Sequence, residues 1–286
     1  MRTRTGQLLP FTLLFPSIAF LAVLVLVPMA QAIFLSIVTE DGGFSLETFQ
    51  HMFADATFGD AWRNTFVLLL LIVPLQVALA LAIALLVNSR FRGHRFFFLI
   101  YTVPLAVSDL AAGLLWLAAF TERGYLNSAL QSAGVIAQPV LWLSFDNFAG
   151  LVTAIVIAES WRTTAMVLLV LIAGLELIPR DYLETAELFG ASRIRRTVNV
   201  VLPLLRPSLQ SALIIRTIFA FQTFAVVFAL AGRNLPVLAG EAYTSYATNQ
   251  DEHLAAAYGV VILALSIVAI AVYLRLLGTH EPEMQR

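Results

Sequence analysis

Residues 182–207 read YLETAELFGASRIRRTVNVVLPLLRP, a polar, glycine-broken segment set between two long apolar runs. Pro179, just before it, ends the preceding helical run, because proline has no amide hydrogen to give to a helix ladder. Asp181, followed three residues later by Glu184, has the form of a capping box opening a short helix. Both acids suit the positive end of that helix's dipole. Tyr182, Ala186 and Phe189 recur at helical spacing on one face. Gly190 tolerates the left-handed backbone that closes a helix. Ser192 is placed to cap a second helix, with Ile194, Val198 and Val201 as its apolar face, and Leu202-Pro203 turns the chain back. The segment reads as two short helices joined at a glycine, with an exposed apolar face and a basic rim of Arg193, Arg195 and Arg196. Two roles stay open on these grounds: an interfacial element along lipid headgroups, or a docking element for a soluble partner.

Working outward, the chain has 286 residues, of which 60% are hydrophobic and 12% charged, with a mean hydropathy of +0.87. Soluble domains carry about 25% charged residues, so this chain belongs in a bilayer. A formal net charge of -1 gives no support for nucleic-acid binding, which needs a basic face. The absence of cysteine excludes a disulfide frame, a thiolate metal site and a cysteine nucleophile.

A helix crossing the hydrocarbon core needs about 20 mostly apolar residues. Six stretches qualify: 8–38, 65–87, 96–120, 151–175, 207–231 and 255–277. The first resembles a cleavable signal peptide, with Arg2 and Arg4 ahead of an apolar run and Ala30-Gln31-Ala32 behind it. That run continues through Ile33, Phe34, Leu35 and Ile37, which favours an uncleaved anchor. Arginine placement gives the orientation, since cytoplasmic loops keep their positive charge. One side holds Arg2, Arg4, Arg90, Arg92, Arg95, Arg180, Arg193, Arg195, Arg196, Arg206, Arg275 and Arg286. The other holds Arg63, Arg123 and Arg233, with Glu40, Asp41, Glu47, Asp55 and Asp60 in its first loop. Both termini and the 176–206 loop are therefore expected in the cytoplasm of a multi-pass cell-membrane protein. No loop is long enough for a second domain of ordinary size, so residues 1–286 read as one transmembrane domain.

The segment around Gly190 resembles the EAA loop of ABC-importer permeases. Glu184-Thr185-Ala186, three residues, Gly190, nine residues, Val200, one residue and Leu202-Pro203 follow the pattern E-A-A, three, G, nine, I-x-L-P, with Thr185 and Val200 as conservative departures. The likeness extends to Glu159-Ser160-Trp161-Arg162-Thr163-Thr164, Ala173-Gly174-Leu175, Ile178-Pro179, Asn64-Thr65-Phe66, Arg92-Gly93, Pro104, and Gly113-Leu114-Leu115-Trp116. Together with Pro16 and Pro28 in the first span, these are similar to the binding-protein-dependent permeases of the maltose, trehalose and glycerol-3-phosphate type. The resemblance implies an all-α, six-span type I importer fold whose loop at 179–206 is a coupling helix. It also implies the partners: a second permease in a heterodimeric pore, a dimer of ATPase subunits, and an extracytoplasmic solute-binding protein, lipoprotein or periplasmic, delivering a sugar. Membrane lipid surrounds the chain. The resemblance further implies that this chain holds no cofactor and that ATP and magnesium belong to the ATPase. By position, Glu184, Ala186, Leu188, Phe189, Gly190, Leu202 and Pro203 form the coupling site. Phe189 stands where the family often has an acid, so an apolar contact replaces a polar one.

Polar groups in lipid cost on the order of 2.5–3.5 kcal/mol for a central charge, so they mark interiors or cavities. Glu159 and Arg162, three apart on one helix, are expected to pair with each other. Asp109 lies inside the third span with no partner nearby in sequence. Arg216, about two turns into the fifth span, is placed to snorkel to the surface. The candidate solute pathway comprises Asp109, Glu159, Gln76, Gln222 and Thr223, with helix–helix polar contacts as the alternative role for each. In related permeases an aspartate often stands near Ala225; this chain lacks it.

An intramembrane enzyme would need a nucleophile or metal ligands facing one another at membrane depth, and the histidines do not supply them. His51, His94, His253 and His280 all lie in loops or tails, so no span holds an imidazole base or metal ligand. Gly190-Ala191-Ser192 resembles part of a serine-nucleophile motif without any such base. There is no G-x-x-x-x-G-K-[ST] loop and no lysine to make one. The alternative transport reading is an ion-coupled carrier using Asp109 and Glu159, which would favour inverted repeats; none is visible.

Overall fold

The computed structural model describes residues 5–39, 42–89 and 91–277, with side chains from residue 13 onward. Arg2, Arg4, Arg90 and Arg286 of the charge argument, Glu40 and Asp41 of the first loop, and His280 lie outside the described residues.

Helices dominate, and among the described residues the one extended pairing is an isolated bridge between Val38 and Phe44. The first apolar run forms α1 (Thr5–Leu21), a π segment at Ala22–Leu26, and α2 (Val27–Ile37). Helix α3 (Glu47–Ala54) leads into α4 (Ala56–Asn88), which begins more than two turns before the expected residue 65. Among the described residues, five helices are long and apolar enough to cross a membrane, or six if a bent pair counts as one span.

The bent pair is the third span. Where a continuous helix over 96–120 is expected, the chain forms α5 (His94–Thr102), a 3-10 turn at Val103–Ala106, and α6 (Asp109–Phe120). The stretches His94–Ala106 and Asp109–Ser132 meet at 102°. Pro104 sits in the turn and Ser108 restarts the helix, its hydroxyl accepting from Ala111 N at 3.3 Å. A proline flanked by a capping serine makes a break rather than a kink. Helix α7 (Tyr125–Ser132) follows. Asn127 binds the loop behind it, donating to Val140 O at 2.9 Å and accepting from Trp142 Nε1 at 3.0 Å.

Helix α8 (Phe148–Glu176) matches the fourth span. Then come α9 (Arg180–Leu188), α10 (Arg193–Arg196), a π segment at Thr197–Val201, and α11 (Leu202–Phe221). The fifth span also differs from 207–231, because the membrane-length helix is Arg193–Phe221. Leu202-Pro203 does not turn the chain; it lies inside that helix. The π segment explains the tolerance. Proline clashes with the carbonyl four residues back, and a π turn widens the ladder at that point. Leu202 N donates to Thr197 O, five residues back. The same arrangement recurs in the first span, where a π segment at Ala22–Leu26 precedes Pro28. The helix ends at Gln222-Thr223, where the Thr223 hydroxyl bonds back to Phe219 O at 3.3 Å, a local bond that competes with helix continuation. Helices α12 (Ala225–Ala231), α13 (Leu238–Ala247) and α14 (Glu252–Leu277) complete the chain.

The contacts group into two compact units. In the first (Met1–Gly59 with Glu241–Leu263), Met52 is buried, Phe58 packs on Tyr258, and the His253 ring Nδ1 lies 2.7 Å from Leu35 O. In the second (Asp60–Gly240 with Ala264–Arg286), α11 runs along α8 and α12 along α6. Small residues permit these approaches, as expected where packing rather than water expulsion joins helices. A Cβ at Gly174 would lie 2.1 Å from Ser208 Oγ, and one at Gly113 would lie 2.5 Å from Ala229 Cβ. Two apolar clusters fill this unit. One includes Leu68, Ile72, Leu151 and Ile155; the other includes Ala80, Ala84, Leu168 and Leu205.

Candidate functional site

Two constellations stand out, one at the Gly190 elbow and one between the apolar clusters. At the elbow, α9 begins one residue before Asp181: its N-cap is Pro179, with no side-chain cap bond. Asp181 therefore lies in the first turn and is not the capping residue, although its charge still faces the positive end of the helix. The C-terminus closes as expected. Gly190 has φ +75, Gly190 N donates to Glu187 O at 2.9 Å, and Ala191 N donates to Ala186 O at 3.0 Å. This is the 6→1 and 5→2 pattern of a Schellman closure. Ser192 Oγ accepts from Arg195 N at 3.4 Å, and Arg196 pairs with Glu187 across the corner.

The closure turns large apolar side chains outward. Leu188, Phe189 and Ile194 are 88%, 87% and 79% exposed. Ala186 and Leu202 are half-buried, while Pro203 and Glu184 are exposed. Glu184 lines a cavity of about 590 Å³ together with Glu187, Arg180 and Arg196.

The second constellation is a polar layer. Along α4, Leu68, Ile72, Gln76, Ala80 and Ala84 follow one another at four-residue spacing and all are buried, so Gln76 interrupts an otherwise apolar face. Arg216 donates from Nε to Gln76 Oε1 and from Nη2 to Glu159 Oε2 at 3.2 Å. Gln76 Nε2 donates to Glu159 O at 3.0 Å and to Thr163 Oγ1; Thr163 in turn donates to Glu159 O at 2.7 Å. Three helices are thereby joined through groups that are almost fully buried, Gln76 at 0%, Arg216 at 2% and Glu159 at 3% exposed.

This layer corrects three sequence expectations. Glu159 pairs with Arg216, not with Arg162 on its own helix. Arg216 does not snorkel, because a carboxylate and an amide meet it in the interior. Asp109 has a partner after all: at the start of α6, it pairs with Arg162 of α8. The break in the third span places Asp109 at a helix N-terminus, where an acid is favoured. Its side chain remains 53% exposed, against 15% for Arg162. Nearby, Arg162 Nε and Ser160 Oγ are buried without a hydrogen-bond partner. Gln222 and Thr223 lie instead at the break after α11, exposed and half-buried respectively, and none of their hydrogen bonds reaches the polar layer. Thr163 escaped the sequence reading, although its four-residue offset from Glu159 was a usable signal.

Membrane-length helices joined through a buried polar layer, with an exposed apolar elbow, define a helical membrane protein with a surface open to a partner. Residues 76–278 match the family described as binding-protein-dependent transport system inner membrane component. The chain belongs to that family. It is 32% identical to the sulfoquinovosyl glycerol transport system permease protein of Agrobacterium fabrum, over 96% of this chain and 92% of that protein. It is 29% identical to the sn-glycerol-3-phosphate transport system permease protein of the same organism, over 94% of each. The fold is shared with a bacterial ABC transporter that imports the acidic polysaccharide alginate (TM-score 0.81, 20% identity, 95% of this chain and 97% of that one). The chain is thus a transport component rather than an enzyme, and an ion-coupled carrier is set aside.

Proposed function

We propose that this chain forms half of the pore of an ATP-driven importer for a sugar or related polyhydroxylated solute, and that force enters it at the Gly190 elbow. The observation that carries the reading is the surface there. Leu188 and Phe189, 88% and 87% exposed, directly precede a left-handed glycine within the family-matched region. Exposed apolar residues gathered at one corner suit a partner surface better than water.

An ATPase subunit seats on Leu188 and Phe189, with Glu184 and Ala186 on the helix before them and Leu202 and Pro203 at the start of the membrane helix behind. ATP and magnesium are held by that ATPase. A second permease completes the pore and an extracytoplasmic binding protein delivers solute. The sugar class is supported by relatives whose names specify sulfoquinovosyl glycerol and sn-glycerol-3-phosphate. The elbow and both termini face the cytoplasm, as the arginine distribution favours. The whole chain acts as one permease domain.

From Arg193, helix runs about 35 Å to Arg216 at 1.5 Å per residue. Movement at the elbow therefore reaches the polar layer along one element. Coupling requires that ATPase contact favour one arrangement over another. Asp109 borders the solute pathway together with its partner Arg162, while Gln76 and Glu159 form its supporting wall. Gln222 and Thr223 line the break beyond.

Replacing Leu188 and Phe189 together by serine tests the reading. ATPase retained on the purified permease should fall at least about tenfold, as loss of central apolar anchors costs on the order of 2 kcal/mol. Unfolding temperature should hold. Wild-type retention of the ATPase would overturn the assignment.

A further inference from the structure

Beside the elbow cavity, with which it shares Asn88, Leu175 and Glu176, a second cavity of about 440 Å³ opens at the ends of two membrane-length helices. Its walls are Val87 and Asn88 at the close of α4, His94, Arg95 and Phe98 on α5, and Ile172, Leu175 and Glu176 at the close of α8. That volume lies within the roughly 300–1,000 Å³ typical of small-molecule sites. Its chemistry is divided. A cation, Arg95, and an anion, Glu176, line the same cavity, and neither is joined to the other by an ion pair. Val87, Phe98, Ile172 and Leu175 supply an apolar floor. His94 Nδ1 lies 3.0 Å from Phe91 O, so that nitrogen donates and Nε2 remains as a further acceptor.

We infer that this cavity binds a phospholipid with an ammonium headgroup, phosphatidylethanolamine being the fit. Arg95 takes the phosphate. Glu176, with His94 Nε2 and the Asn88 amide, accepts from the ammonium hydrogens. The acyl chains leave over Phe98 and Val87. Position supports a lipid: the cavity sits where membrane helices end, at headgroup depth. Opposed charges distinguish this headgroup from phosphatidylglycerol, which offers nothing to Glu176. Phosphatidylcholine has no ammonium hydrogen to donate.

The full chain, reconstituted in nanodiscs of mixed phosphatidylethanolamine, phosphatidylglycerol and phosphatidylcholine, then extracted and examined by native mass spectrometry, tests the site. Phosphatidylethanolamine should be retained preferentially. Glu176→Gln should lower that preference by about fivefold, the scale of one accessible ion pair, while Glu176→Asp keeps it. Arg95→Gln should lower retention of phosphatidylethanolamine, and Arg92→Gln, on an exposed residue outside the cavity, should change nothing. Equal retention of all three lipids, or an unchanged preference in Glu176→Gln, would overturn the proposal. So would displacement of the lipid by free phosphoethanolamine at matching concentration, which would assign the site to a soluble headgroup.

Discussion

The elbow around Gly190 and the layer around Arg216 distribute polarity in opposite senses. At the elbow, Leu188 and Phe189 stand almost fully exposed, apolar groups where solvent is available. In the layer, Gln76, Glu159 and Arg216 are almost fully buried, polar groups between two apolar clusters. Each arrangement is unfavourable for the isolated group, but the remedies differ. The layer satisfies itself within this chain, through hydrogen bonds among three helices. Among the described residues the elbow's apolar pair has no such cover, and on the function proposed above another subunit supplies it. The difference teaches that a buried charge here reports how the helices are joined, whereas an exposed apolar pair marks a surface the chain does not cover itself.

Breaking the layer should have the largest effect. Arg216→Met leaves Glu159 buried without its counter-charge, a change worth about 3–5 kcal/mol. Thermal unfolding of the purified chain should show a large loss, and Glu159→Gln added to Arg216→Met should recover much of it. A single variant as stable as wild type would mean the layer is not self-satisfying. A smaller and local effect belongs to Gly190→Ala. Holding an L-residue at φ +75 costs roughly 1–2 kcal/mol, confined to the elbow. Solute uptake should fall several-fold while the unfolding temperature barely moves; a global loss of stability would erase the distinction between the two regions. The smallest stability change is expected for Asp109→Asn. Its pair with Arg162 is half-open to solvent, so the loss should stay within about 1 kcal/mol. Uptake and apparent solute affinity should nevertheless change. If both match wild type, Asp109 does not border the pathway.

The elbow was largely legible because its determinants are local. Gly190, Ser192 and the spacing of Tyr182, Ala186 and Phe189 act within one or two turns, and the structure follows them. The α9 start was misplaced because Pro179 takes the N-cap position that Asp181 suits on paper. The break in the third span is not legible from hydropathy, which averages Ser108 and Asp109 into a mostly apolar stretch and does not register the combined effect of Pro104 and Ser108. Pro203 misled in the opposite direction: a π turn upstream lets a helix continue through it. Pairing in the layer was not legible. Glu159 had an arginine three residues away, yet took one 57 residues away.

Composition and pattern alone determined that this chain is a helical membrane protein with an elbow closed by glycine, because burial in lipid and left-handed closure are demands on single residues or short windows. Only the tertiary structure decided which charges meet. Arg216 reaches Glu159 and Gln76 because α4, α8 and α11 come together around one polar layer, and Asp109 reaches Arg162 because a broken span puts a helix start beside α8. A partner in a low-dielectric interior is set by which helix faces which, and neighbouring residues carry no record of that.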